Sequence, residues 1–150
     1  MAVIINGGVA ISAAAASPVY TAGPGITINE NVISSTIYDI SIGLQGILST
    51  GNIFLMVSPR NFSIPVGATG SRAVSLVPAT STTTFTINKK IGAAPAQAIG
   101  TIIFQAGMTV GTFSFSDQVS FAPDDLLYIQ LSVADSTLAD VAITITGILQ

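Results

Sequence analysis

An all-β fold, an antiparallel β-sandwich of jelly-roll type, is what three features of this 150-residue sequence predict. First, apolar and polar residues alternate in two runs near its C-terminal end. Leu127, Ile129, Leu131 and Val133 share one face of the first run, and Val141, Ile143 and Ile145 alternate with Ala142, Thr144 and Thr146 in the second. That is the period of a strand with one buried face. Second, short apolar runs bounded by Gly, Pro and Asn recur through the rest of the chain, and no stretch carries the helical period of about 3.6 residues. Third, nothing alternates strand with helix as a parallel sheet requires. Two half-apolar strands are not stable alone, so the residues between 38 and 123 are expected to supply the covering layer.

Taken in order, residues 1–19 are apolar, rich in Ala and Gly, and uncharged. Val3, Ile4, Ile5, Val9 and Ile11 have no charge beside them to keep them in water, so this stretch is expected to be an extended arm held by another protein. A signal peptide is not expected, because a positive leading region is missing and Asn6-Gly7-Gly8 cuts the apolar core short. In residues 20–36, Gly23-Pro24-Gly25 reads as a turn, Ile26-Thr27-Ile28 and Val32-Ile33 as very short strands, and Asn29-Glu30-Asn31 as their polar corner. Such a pair buries almost nothing. Three chains wound about a common axis would let Ile26, Ile28 and Val32 point to it and would close the sheet edges, so an intertwined trimeric neck is expected here.

Residues 37–150 read as the sandwich. Ile40, Ile42 and Leu44 alternate with Asp39, Ser41 and Gly43, while residues 53–57 are continuously apolar, as in a strand covered on both faces. Pro59, Pro65 and Pro78 mark breaks or edges. Phe85 and Ile87 share a face, 99–104 reads as another covered strand, and Phe113 and Phe115 fall together. Lys89-Lys90 reads as a solvated turn, 92–96 as a flexible connection, and 135–140 as a polar corner.

Composition narrows the function. Four Lys plus Arg and seven Asp plus Glu make 7% of the chain charged, with a net charge of −3. Soluble domains carry about a quarter. The surface is therefore built of Ser, Thr, Ala, Gly and Asn, or is covered by partners, or both. Arg60, Arg72, Lys89 and Lys90 form no basic stripe, so no nucleic-acid partner is expected. No apolar run reaches the roughly 18 residues of a membrane span. The chain has no Cys and no His, which removes disulfides and the commonest bases, nucleophiles and transition-metal ligands. No cofactor and no enzymatic activity are expected.

Glu30 is the only Glu, so a hydrolase would need a pair drawn from Asp117, Asp124, Asp125, Asp135 and Asp140. Each of these lies beside Pro, Ser or a strand end, where turn chemistry is the simpler reading. Asp124-Asp125 is a weak Ca²⁺ pattern, two carboxylates where such ions want several oxygens. Tyr20, Tyr38 and Tyr128 have rings suited to stacking on a sugar, although Tyr is equally at home on a half-buried strand face.

The stretch Gly23-Pro24-Gly25-Ile26-Thr27-Ile28-Asn29-Glu30-Asn31-Val32-Ile33-Ser34 resembles short units that recur in trimeric bacteriophage fibre and spike proteins, where intertwined chains form a neck beneath a β-sandwich head. The segments around 70–74, 84–89, 99–104, 121–125 and 136–144 are similar to the head domain of such proteins. The resemblance implies a homotrimer on the virion surface. It divides the chain into an arm for virion attachment (1–19), a trimeric β neck (20–36) and a head (37–150). The short chain favours a capsid decoration or cement protein in contact with other virion proteins such as the major capsid protein. The alternative is the receptor-binding tip of a tail fibre or spike, reading host cell-surface glycans.

Overall fold

The computed structural model describes Gly23, Pro24, Ile26–Asn29 and residues 32–150, and the chain divides into two units, Met1–Ser35 and Thr36–Gln150. The expected arm, with Val3, Ile4, Ile5, Val9 and Ile11, lies outside the described residues, as does the side chain of Val32.

In the first unit β1 (Ile26–Asn29) and β2 (Val32–Ser35) pair antiparallel, with Ile26 opposite Ser35 and Ile28 opposite Ile33. The Ile26 N–H donates to the Gly23 carbonyl at 3.2 Å and closes the turn at Pro24. A two-stranded ribbon has no second layer, and Ile26 is left 45% exposed.

The second unit is an antiparallel β-sandwich. Its strands are β3 (Ile37–Ile47), β4 (Gly51–Val57), β5 (Phe62–Ile64), β6 (Arg72–Val77), β7 (Thr83–Lys90), β8 (Gln97–Phe104), β9 (Thr112–Ser114), β10 (Val119–Phe121), β11 (Leu126–Val133) and β12 (Ala139–Leu149). Among the described residues there is no α-helix, only a 3₁₀ turn at Val66–Ala68. One sheet is centred on β12, which pairs with β3 along one side and with β6 and then β5 along the other, β10 lying beyond β5. The other sheet has the order β4-β11-β7-β8-β9. The pairs are nested: β3 with β12, β4 with β11, β5 with β10, Val74 of β6 bridging Val110, and β7 with β8 innermost. The chain thus doubles back on itself at residues 91–96.

The alternation read in the sequence decides which side chains meet between the sheets. Ile40, Ile42, Phe62, Ile64, Val141, Ile143 and Ile145 come from the first sheet, and Phe85, Ile87, Ile102, Phe104, Leu127, Ile129 and Leu131 from the second, all buried. Two glycines make the packing possible. A Cβ on Gly100 would sit 2.6 Å from the Phe115 ring, and one on Gly147 would sit 2.9 Å from the ring of Phe62 and 3.1 Å from the Tyr38 carbonyl oxygen.

Three expectations are corrected. Val133 is 51% exposed, because the β11–β7 pairing slips between Leu131 and Val133 and the bulge breaks the alternation. Residues 53–57 are not covered on both faces: β4 is an edge strand, and Leu55 and Val57 stay 64% and 53% exposed while Phe54 and Met56 pack on the core. β8 also alternates, with Ile102 and Phe104 fully buried and Ile103 only half-buried.

Candidate interaction surface

Asp135, Asp125, Asp140 and Asp117 each have their own partners within the fold. Asp135, buried in the β11–β12 corner, accepts from the Thr137 hydroxyl and from Thr137 N–H at 2.8 Å, and from the hydroxyl and N–H of Ser81 at 2.7 and 2.9 Å. The Thr80 hydroxyl at 2.9 Å, the Thr80 N–H at 3.2 Å and the Leu138 N–H at 3.2 Å also donate to it. It thereby ties the β6–β7 turn to this corner. The Thr137 and Ser81 hydroxyls stabilise its charged form against the opposing effect of burial and, with the other donors, hold its pKa far below the usual carboxylate range. The corner is not simply polar, since Leu138 inserts into the core.

Lys89 does not lie in a solvated turn. It belongs to β7, and its ammonium reaches Asp125 at 2.9 Å, donates to the Ser120 carbonyl at 2.6 Å and lies 5.1 Å from the centroid of the Phe121 ring. Burial alone would raise the pKa of Asp125; the Ala122 N–H and the Lys89 ammonium outweigh it and lower the pKa. The strand period contained this signal. Lys89 continues the inward parity of Phe85 and Ile87 on β7, and Asp125, just before β11, that of Leu127 and Ile129, so the two face inward side by side.

From Phe121 the contacts continue as a column. Phe121 stacks on Phe62 at 4.7 Å, Phe62 meets Tyr38 at 4.9 Å, and Arg60 caps the far end 5.7 Å from the Tyr38 ring centroid. Tyr38 is thus absorbed by packing, and Tyr20 lies outside the described residues. Asp140 accepts from Gly46 N–H at 2.8 Å, and Asp117 accepts from Ser116 Oγ at 2.8 Å. Among the described residues no three His, Cys, Asp or Glu side chains gather where they could hold a metal ion.

Two apolar patches stand open on the sandwich. On the outer face of the second sheet Leu55 lies opposite Tyr128 and Val57 opposite Leu126, with Lys90 completing the latter row on β7. Together with the 93–96 loop and Asn52, Leu55, Tyr128, Leu126 and Lys90 border a groove of about 500 Å³. On the outer face of the first sheet Val110, Val74, Ala142 and Gly43 form one row across the strands. Leu76 stands beside it, 81% exposed, over a second groove of about 670 Å³ that contains Asp140. Of the residues expected in the neck, Ile26 is exposed and Ile28 half-buried within a single chain. No protein-family model, curated protein or solved structure matches this chain.

Proposed function

We propose that this chain is a non-enzymatic structural protein of a bacteriophage particle. In this reading it is a homotrimeric capsid decoration protein whose arm and neck hold it to virion proteins such as the major capsid protein, while the sandwich is displayed outward. The nested strand pairing supports the jelly-roll winding expected from the strand pattern. The observation that carries the reading is the apolar surface left open by a chain only 7% charged: Ile26 on the hairpin, Leu55 and Val57 on one sheet, Leu76 and Val110 at the other. Apolar surface of this extent marks a protein made to be covered.

The neck is tested by Ile28→Asp, which would bring three carboxylates to the proposed axis, where like charges crowd and desolvation is costly. Light scattering is expected to show loss of the trimer. A variant that keeps the wild-type mass and melting temperature removes the neck from the account, and so does a monomeric wild type. Imaging of intact particles tests the location. A receptor-binding tip is the second reading, favoured by Tyr128 beside Asn52 in an open groove, where the apolar face of a sugar ring finds an aromatic surface next to an amide. Added protein that blocks infection by occupying cells, and leaves particle stability unchanged, would favour that reading over decoration.

A further inference from the structure

We propose that the sandwich binds a second copy of itself head to tail, the outer groove of the β4–β11–β7 sheet of one copy receiving the outer groove of the β3–β12–β6 sheet of the next. The two grooves face away from each other on opposite sheets of one sandwich and are complementary in charge. Among the described residues Lys90 is the only charge in the first groove, set against Leu55, Leu126 and Tyr128. Asp140 is likewise the only charge among the described residues of the second, set against Val74, Leu76 and Ala142.

Among the described residues Lys90 forms no ion pair, the one salt bridge joining its neighbour Lys89 to Asp125. Asp140 is presented rigidly, its backbone at φ 54° and one carboxylate oxygen held by Gly46 N–H, which leaves the other oxygen for an incoming ammonium. The second groove is floored by Gly43 and Ala142 and walled by Leu76, a relief that suits the projecting Leu55 of the first. A contact of this kind joins two different surfaces of the same chain, so each copy added consumes one groove and offers another, and only a closed ring leaves none free. The charge pair sets the register while the apolar side chains supply the buried area.

The test uses charge reversal in the full-length chain, read by sedimentation over a concentration series and repeated in the Ile28→Asp background so that the hairpin contact and the groove contact are scored separately. Lys90→Glu alone and Asp140→Lys alone are each expected to weaken association by at least about tenfold, because like charges then face each other. Mixing the two variants is expected to restore association, since the intact Lys90 of one meets the intact Asp140 of the other. Lys90→Glu with Asp140→Lys in one chain should restore it as well. Asp140→Asn, which keeps the bond to Gly46 and loses only the charge, separates charge from backbone support and should fall between wild type and Asp140→Lys. Circular dichroism must show all variants folded. Single variants that associate as wild type does, or folded variants that fail to complement on mixing, overturn the proposal whatever the Ile28→Asp result.

Discussion

Replacing Lys89 by Met keeps the stem over Phe121 and removes the ammonium that faces Asp125 at 2.9 Å. The side chains of Lys89 and Asp125 are 16% and 7% exposed, so this is a buried pair with one wet end. Removing one member of a buried pair costs roughly 3–5 kcal/mol, and the partial exposure of Lys89 places the expected loss near the lower limit, about 3 kcal/mol. For a domain of this size that lowers the melting temperature by about 10 °C. The pH dependence identifies the cause. Asp125 has a folded pKa below its unfolded value, so its contribution is present above about pH 4 and is lost as pH falls through the folded pKa. Without Lys89 the folded pKa rises, so the variant's deficit is expected to be largest near neutral pH and to shrink towards about pH 3. Urea unfolding of both proteins at these two pH values measures it. A deficit under about 1 kcal/mol, as for an exposed pair, or one equal at both pH values, would show that the ammonium does not hold the carboxylate.

In the core, Ile129→Ala and Ile143→Ala are each expected to cost about 2–5 kcal/mol in denaturant unfolding, because both side chains are buried between the sheets, whereas Ala142→Ser on the open face should change stability by less than about 0.5 kcal/mol. Gly147→Ala should cost about 1–3 kcal/mol, since the new methyl meets the Phe62 ring and the Tyr38 carbonyl, while Gly43→Ala, with open space around it, should be close to neutral by the same measurement. Asp135→Asn should destabilise the protein at neutral pH by a margin that disappears in strong acid. The folded pKa of Asp135 is lowered, so its stabilisation is present above about pH 4 and is lost only as pH falls well below that, which a series of thermal melts with pH would follow.

The sequence by itself determined the strands and their inward faces. Phe85 and Ile87, Leu127 to Leu131 in alternation, and Val141, Ile143 and Ile145 declare their side of the sheet through a period of two that each strand carries locally, and the β1–β2 hairpin is likewise legible from its turn residues. Tertiary structure alone decided which strands lie at an edge and what meets across the layers. Residues 53–57 have the same apolar run whether a neighbour covers them or not, and only the place of β4 at the end of its sheet leaves Leu55 and Val57 open. The bulge after Leu131, the column from Lys89 through Phe121 and Phe62 to Tyr38 and Arg60, and the four donors that Thr80 and Ser81 of the distant β6–β7 turn bring to Asp135 arise from pairings between remote segments. A local period says which way a side chain points; the partner it finds there depends on how the whole chain is wound.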